Sequence, residues 1–169
     1  MADLDHRAEA EKLEIAEESA WKSVRLTEQN SIENYLAQFP SGKHRGPAAE
    51  ALADLRQAQT SKAADAATIL NVIARLNNAW NAKDVDSIVA LYANLDRRSI
   101  KSQLLATKTL SMKISPVSAP EISDGQATVQ CRRTTEEVFS DGAQKKQPEA
   151  LVTYVLTKRN GAWVVAGAR

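Results

Sequence analysis

The side chains of this sequence that could do chemistry are few, and several of them fall in one short run, Cys131-Arg132-Arg133. General acid–base catalysis needs an acid or base of tuned pKa inside a closed pocket. The two histidines, His6 and His44, lie far from this run in the sequence. The strand positions where a catalytic acid would sit are occupied by Val129, Cys131 and Arg133. The pattern therefore predicts no catalytic residues.

Cys131 has two interpretations. The neighbouring arginines could lower the pKa of its thiol and make it reactive. Alternatively, Cys131 is a small buried strand residue, because free cysteine is among the most buried residue types. We favour the second interpretation.

Arg132 and Arg133 cannot both enter the interior of a domain, because neighbouring residues of a strand point to opposite faces. If Arg133 points inward, it is a buried cation that needs a partner, such as Glu137 or a ligand carboxylate. The alternative, which we favour, is a salt bridge at the rim.

Four residues are candidates for contact with a ligand or for the rim of a pocket: Trp80, Tyr92, Arg133 and Tyr154. The two tyrosines lie on helical and strand stripes of apolar residues, so packing is the alternative role for them. No group of His, Cys, Asp or Glu has the spacing of metal ligands. We therefore expect no metal site and no cofactor.

Composition excludes several classes of protein. The 169 residues carry 22 Lys and Arg against 21 Asp and Glu, a net charge of +1. This balance argues against nucleic-acid binding, which needs a clustered excess of basic residues. No run is apolar enough to span a bilayer, and the polar start is not a signal peptide. A single cysteine cannot form an internal disulfide, so the cysteine content does not indicate the cellular compartment.

The first third of the chain has the pattern of three helices. Asp3 to Leu26 is rich in Ala, Glu, Lys and Leu and predicts a long helix. A second helix follows Thr27 and stops before Pro40, and a third begins after Gly46-Pro47. Gln57 to Ala66 is either a linker or a continuing polar helix. We place a domain boundary at Ser61, which gives a helical element over 1–61 and a second domain over 62–169.

The second domain has helices first and strands afterwards. The stretch from Ile69 to Leu95 predicts two amphipathic helices, broken at residues 82–84, and Ser99 to Ala106 predicts a short third one. From Lys108 the apolar period changes to two, which indicates strands. Asn160-Gly161 is a strong hairpin signal. The order predicts an α+β fold, a curved antiparallel sheet with covering helices.

Two resemblances follow from these segments. Trp21, the run YLAQFPSGKH from Tyr35 to His44, and Ala48 to Leu52 resemble a short tetratricopeptide-like helical element of bacterial multidomain proteins. The segments AWNAKDVDSIVALYA, ISDGQATVQCRRT and VTYVLTKRNGAWVVAGAR resemble the nuclear transport factor two-like superfamily, whose fold is also described as a cystatin-like cone. The combination is similar to tails of bacterial signalling proteins, including Ser/Thr kinases.

Because catalytic residues are missing, we expect a non-catalytic binding or protein-interaction module, and the resemblance implies that it is part of a larger bacterial signalling protein. It also implies a homodimer formed through the exposed face of the sheet, and the N-terminal helices could contact a protein partner. The residues expected on that face are Thr128, Gln130, Arg132, Thr153, Val155 and Thr157. The alternative is a small-molecule-binding protein, or an enzyme like ketosteroid isomerases, that uses the cone as its pocket. We expect neither nucleic-acid binding nor membrane insertion of this chain.

Overall fold

The computed structural model describes the backbone of residues 2–169 and the side chains from residue 9 onward. These residues form two compact units, the first ending at Ser61 and the second spanning Lys62–Arg169. The helices are α1 (Ala2–Ser23), α2 (Gln29–Gln38), α3 (Arg45–Ala82), α4 (Val85–Leu91) and α5 (Arg97–Ala106). The strands are β1 (Thr107–Pro116), β2 (Glu121–Ser123), β3 (Gln126–Phe139), β4 (Gln144–Arg159) and β5 (Ala162–Ala168).

The first unit contains α1, α2 and the beginning of α3, packed around a small apolar core. Helix α2 ends just before Pro40, which has no N–H to continue the helical hydrogen bonds. Helix α3 carries Pro47 in its first turn, where a missing N–H costs nothing. The buried core residues are Ile32, Tyr35, Ala48 and Leu52.

A carboxylate joins the turn between α2 and α3 to helix α1. Glu17 Oε1 accepts hydrogen bonds from the Tyr35 hydroxyl at 2.8 Å and from the backbone N–H of His44 at 3.1 Å. A Cβ at Gly42 would lie 2.6 Å from the same oxygen, so a larger residue at this position would displace the Glu17 carboxylate. The His44 ring stacks on Trp21 with 4.7 Å between ring centroids. These contacts account for several of the motif residues between Trp21 and His44.

The second unit is built on a curved antiparallel sheet with the strand order β1-β3-β4-β5, and β2 pairs with the start of β3. The α3 residues of this unit, together with α4 and α5, cover one face, which we call the inner face. The opposite side is the outer face. Buried residues from helices and strands form one core on the inner face, including Ile73, Leu76, Ile88, Val129, Cys131, Tyr154, Leu156, Trp163 and Val165. The predicted α+β fold with covering helices is confirmed.

The pairing of β3 with β4 contains a β-bulge. Arg133 pairs with Ala150, but Thr135 pairs with Gln147, so the two residues 148 and 149 lie opposite Thr134 alone. Pro148 is tolerated in this bulge because it lacks the N–H that a regular ladder of hydrogen bonds would require. Bulges bend the strand that contains them. The bend lies beside Arg133.

Both edges of the sheet have backbone groups engaged by other elements. At the β1 edge, the Asn81 amide donates to Met112 O at 2.7 Å and accepts from Met112 N–H at 2.8 Å. Asn77 accepts from Ile114 N–H at 2.9 Å. At the β5 edge, the residues after α4 form a parallel bridge, and Ala93 N–H donates to Val165 O at 2.8 Å.

Several details differ from the sequence-based expectations. Gln57 to Ala66, for which a linker and a helix were both open, lies within α3. Helix α5 begins at Arg97, earlier than predicted, because the Asp96 carboxylate accepts from Ser99 N–H and caps the helix. Asp84 caps α4, since its carboxylate accepts from two backbone N–H groups at the start of the helix.

None of the helices in the described part of the chain is long and apolar enough to cross a membrane.

Candidate functional site

The four candidate contact residues come together at one end of the inner face. Trp80 is near the C-terminal end of α3, and Tyr92 follows α4 and bridges to β5. Arg133 lies on β3 and Tyr154 on β4. Trp80, Tyr92 and Arg133 are partly buried, whereas Tyr154 is 2% exposed. We call this cluster of three partly buried side chains and one buried tyrosine the mouth of the cone, the cone being the curved sheet with its covering helices.

The alternation of β3 directs Arg133 to the inner face. Ala127, Val129 and Cys131 are buried at every second position, and Arg133 continues the series. In the neighbouring strand β1, Arg133 pairs with the buried Ile114. Of the two directions left open for Arg133 by the sequence, the structure therefore has the inward one.

The ionisable side chains of this cluster perturb one another. Burial raises the pKa of Tyr154 to about 12, and the nearby Tyr92 adds to the rise. The charge of Arg133 opposes that rise, and its guanidinium also acts as a hydrogen-bond donor to the Tyr154 hydroxyl. Burial raises the pKa of Tyr92 as well, whereas Trp80, as a hydrogen-bond donor, and the charge of Arg133 lower it. Both phenols are therefore protonated at neutral pH.

The rim salt bridge expected for Arg133 is not formed within the described part of the chain. The pairing register places Glu137 beyond the bulge, opposite Lys145. It is Arg132, on the outer face, that approaches a carboxylate, with 3.7 Å between its Nε and Glu149 Oε1. Arg133 thus has the phenols of Tyr92 and Tyr154 as polar neighbours and no carboxylate partner among the described residues.

Cys131 is fully buried beneath this mouth. It is 0% exposed, and burial raises the pKa of its thiol to about 11. A thiol of this kind is a poor nucleophile at neutral pH, because the thiolate is the reactive form. The structure agrees with the buried strand residue rather than the reactive thiol.

Thr135 is a polar residue of the inner face that the sequence analysis did not single out. It is 4% exposed, and within the described residues its hydroxyl has no hydrogen-bond partner. The two-residue period through Cys131 and Arg133 reaches Thr135 next, so the alternation could have identified it. The lack of a partner is visible only in three dimensions.

Two surface cavities of the second unit lie away from this mouth. A groove of about 260 Å³ between α3 and α4 is lined by Arg75, Asn78, Ala79, Ala82, Asp84, Ser87 and Leu91. A cavity of about 250 Å³ on the outer face is lined by Lys113, Ser115, Arg132, Thr134 and Glu149. Over the described residues, no group of three or more His, Cys, Asp or Glu side chains could hold a metal ion.

The carboxylates that sequence reasoning could not place are used in structural contacts. Asp65 Oδ1 accepts from the Trp163 indole N–H at 2.8 Å and from Lys158 Nζ at 2.9 Å. The hydrogen bond from Trp163, and then the one from Lys158, lower the pKa of this carboxyl. Asp84 and Asp96 cap α4 and α5. These three carboxylates position elements of the fold instead of facing the mouth.

No family model matches the chain, and no curated protein matches it. Solved structures do match. A candidate aromatic ring hydroxylase from Novosphingobium aromaticivorans is 9% identical over 62% of this chain and 85% of its own, with a TM-score of 0.52. A conserved protein from Planctomyces limnophilus is 14% identical over 62% of this chain and 93% of its own, with a TM-score of 0.52.

A candidate dehydratase of the nuclear transport factor two-like family from Streptomyces avermitilis is 12% identical over 62% of this chain and 93% of its own, with a TM-score of 0.50. Identities this low show the fold and leave activity open. The chain contains a helix-covered, curved antiparallel sheet with the fold of nuclear transport factor two-like proteins.

Proposed function

We propose that this chain is a non-catalytic binding and protein-interaction module, and that it belongs to a larger bacterial signalling protein. The tetratricopeptide-like motif of the first unit and the cone of the second support this parent, because their combination resembles tails of such proteins. In this proposal the cone and its sheet contact other molecules and catalyse no reaction.

The observation that carries the proposal is the protonation state of the inner-face side chains. A general base must accept a proton near the working pH. Cys131 and Tyr154 have pKa values of about 11 and about 12, and the pKa of Tyr92 is also raised. Arg133 is a cation that stays protonated in proteins. These groups can donate hydrogen bonds or hold an anion, but none of them accepts a proton at neutral pH.

A steroid with a β,γ-unsaturated ketone tests the non-catalytic part, because its isomerisation requires a base inside the cone. We expect the chain not to accelerate isomerisation to the conjugated ketone over a blank without protein. Ultraviolet absorbance between pH 5 and pH 9 measures this rate. A saturable rate that the full chain accelerates would show that an enzyme is present and would refute this part.

The surface we propose for self-association is the outer face of the sheet. Gln130 pairs across the strands with Thr153, and Arg132 pairs with Leu151, which is 61% exposed. Together with Thr128, Val155 and Thr157 they form a mixed polar and aliphatic surface. Because backbone groups at both edges are already hydrogen-bonded within the chain, addition of a further strand is disfavoured. Face-to-face packing of two copies is therefore the association that we propose.

Light scattering on the full chain at high concentration tests the homodimer. The expected mass is twice the chain mass of 18.4 kDa. Leu151→Asp should reduce it to the monomer, because burial of a charged side chain in place of an aliphatic one is costly in an interface. Leu105→Asp is the matched control, since Leu105 is 71% exposed on α5, away from the outer face. A monomer in the unmodified chain, or equal effects of both variants, would contradict the proposed surface.

The first unit is the proposed contact for a protein partner. Leu13 and Ile15 of α1 are both 64% exposed, an unusual exposure for large aliphatic side chains on one helix. Capture from a bacterial lysate by the full chain, compared with a Leu13→Lys/Ile15→Lys variant, measures this contact. A protein retained by both chains would place the contact elsewhere.

The second candidate function is the binding of a small molecule in the mouth of the cone. It is favoured by the meeting of Trp80, Tyr92, Arg133 and Tyr154, which gives an aromatic surface with one cation. Two structures with the same fold carry the names of a candidate hydroxylase and a candidate dehydratase, but at 9% and 12% identity they show the fold alone. We prefer binding to catalysis here because the mouth lacks a base.

A further inference from the structure

The hydroxyl of Thr135 is a buried polar group whose hydrogen-bonding capacity is unused. It lies on the inner face, 4% exposed, and none of the described residues pairs with it. Burial of an unpaired hydroxyl costs free energy, so native proteins pair the great majority of such groups. A hydroxyl in this position can donate to a ligand oxygen.

Arg133 precedes Thr135 by two residues and faces the same side of β3. In the register with β1, Arg133 is opposite Ile114 and Thr135 is opposite Met112, so the two side chains are neighbours on one face. Arg133 forms no ion pair with any described residue, whereas Arg132 on the other face has Glu149. A partly buried guanidinium without a carboxylate is uncommon, because buried charges are usually paired.

We propose that Arg133 and Thr135 form a binding site for the carboxylate group of a small molecule. The guanidinium supplies the two parallel N–H donors that match a carboxylate, and the threonine hydroxyl supplies a further donor. The Thr135 hydroxyl and the guanidinium N–H groups that do not donate to Tyr154 leave hydrogen bonds unmade in the free protein, and a carboxylate would complete them.

The charge at the mouth fits a monoanion. Arg133 is the cation whose charge acts on both Tyr92 and Tyr154, whereas Lys113 and Arg132 line the outer cavity. A phosphate dianion would retain an uncompensated charge there. Trp80 and Tyr92 are partly exposed beside Arg133 and provide aromatic surface for the remainder of the ligand. An aromatic monocarboxylate combines both features.

This inference rests on the second candidate function, binding in the mouth of the cone, and adds the chemical class of the ligand. It does not depend on self-association through the outer face, which light scattering tests independently. Loss of carboxylate binding would leave the dimer proposal unchanged, and a monomeric chain would leave the carboxylate site unchanged.

The experiment is a titration of the full ¹⁵N-labelled chain with sodium benzoate, followed by NMR at constant ionic strength. Benzamide, a neutral molecule of the same shape, and inorganic phosphate are titrated in parallel. We expect benzoate to bind in the millimolar range and to shift the Trp80 indole and Thr135 amide signals. Benzamide and phosphate should bind at least about tenfold more weakly, the effect of one charge-assisted hydrogen bond.

Thr135→Val is the decisive variant. It replaces an unpaired buried hydroxyl with a methyl group of similar size, so the melting temperature should stay level or rise. Benzoate affinity should nevertheless fall by about threefold to tenfold. Thr134→Val is the matched control, because Thr134 lines the outer cavity and its change should leave benzoate affinity within about twofold.

Two further variants separate the guanidinium from simple charge. Arg133→Lys should weaken benzoate binding by about tenfold, since lysine lacks the planar pair of donors. Arg132→Gln on the outer face should leave it unchanged. Equal binding of benzoate and benzamide, stronger binding of phosphate, absence of binding at 20 mM, or unchanged affinity in Thr135→Val would each overturn the proposal.

Discussion

The hydrogen bonds between the Asn81 side chain and the edge of β1 give a quantitative prediction for the Asn81→Ala variant. Its side-chain amide makes two hydrogen bonds with Met112, one to the carbonyl at 2.7 Å and one from the N–H at 2.8 Å. A hydrogen bond contributes a net of about 1 kcal/mol to stability. Asn81 is exposed, so water replaces part of the loss. The variant should lower the free energy of unfolding by about 1–2 kcal/mol, toward the lower end for this reason.

Asn78→Ala is the matched control, because Asn78 is an exposed asparagine of the same helix, and none of the described residues accepts from or donates to its side chain. Exposed substitutions of this kind stay within about 0.5 kcal/mol. Urea denaturation followed by circular dichroism measures both variants. Amide hydrogen exchange gives a local readout, since the Met112 N–H should exchange faster in Asn81→Ala alone. Equal destabilisation by the two variants, or unchanged exchange at Met112, would refute the assignment.

Three further predictions concern other contacts. Gly42→Ala should destabilise the first unit by about 1–2 kcal/mol because its Cβ would displace the Glu17 carboxylate from its two donors. Gly46→Ala, with open space around the added Cβ, should not destabilise it. Hydrogen bonds from the serine side chain and backbone at the start of α4 lower the pKa of Asp84 below 3.8 in the folded protein. The stability contributed by the ionised Asp84 carboxylate is therefore fully present above its pKa in the unfolded chain. It is lost as the pH falls through its pKa in the folded protein. Asp84→Asn should make stability less pH-dependent below about pH 5 in acid titrations, and a slope equal to that of the unmodified chain would count against it. Asp65→Ala should lower the melting temperature and shift tryptophan fluorescence, because its carboxylate accepts from an indole N–H; unchanged spectra would show that the contact is absent in solution.

The order of elements was predictable because it depends on local patterns. Asn160-Gly161 forms the expected turn, with φ values of 48° and 82°. The alternation in β3 left the direction of Arg133 open, and the structure shows that it continues the series of inward residues. Gln57 to Ala66 could not be decided, because a polar helix and a helix-prone linker have the same composition.

The parts that sequence reasoning missed depend on contacts distant along the chain. Asn77 and Asn81 looked like capping or solvent-exposed residues, and only the placement of β1 beside α3 shows their edge hydrogen bonds. The bulge at Pro148 shifts the register of β4 without changing the alternation of β3. The unused hydroxyl of Thr135 required the complete set of neighbours.

The contact of Asp65 with the β4–β5 hairpin has a consequence for truncation of the chain. Asp65 is bonded to Trp163 and Lys158, which are nearly one hundred residues later in the sequence. A fragment that begins at Lys62 retains this carboxylate, whereas one that begins at Ala67 leaves the indole N–H of a tryptophan that is 4% exposed without its acceptor. The shortest fragment that preserves the cone must therefore begin at or before Asp65. This polar residue precedes Ile69, the first core residue of α3 in this unit.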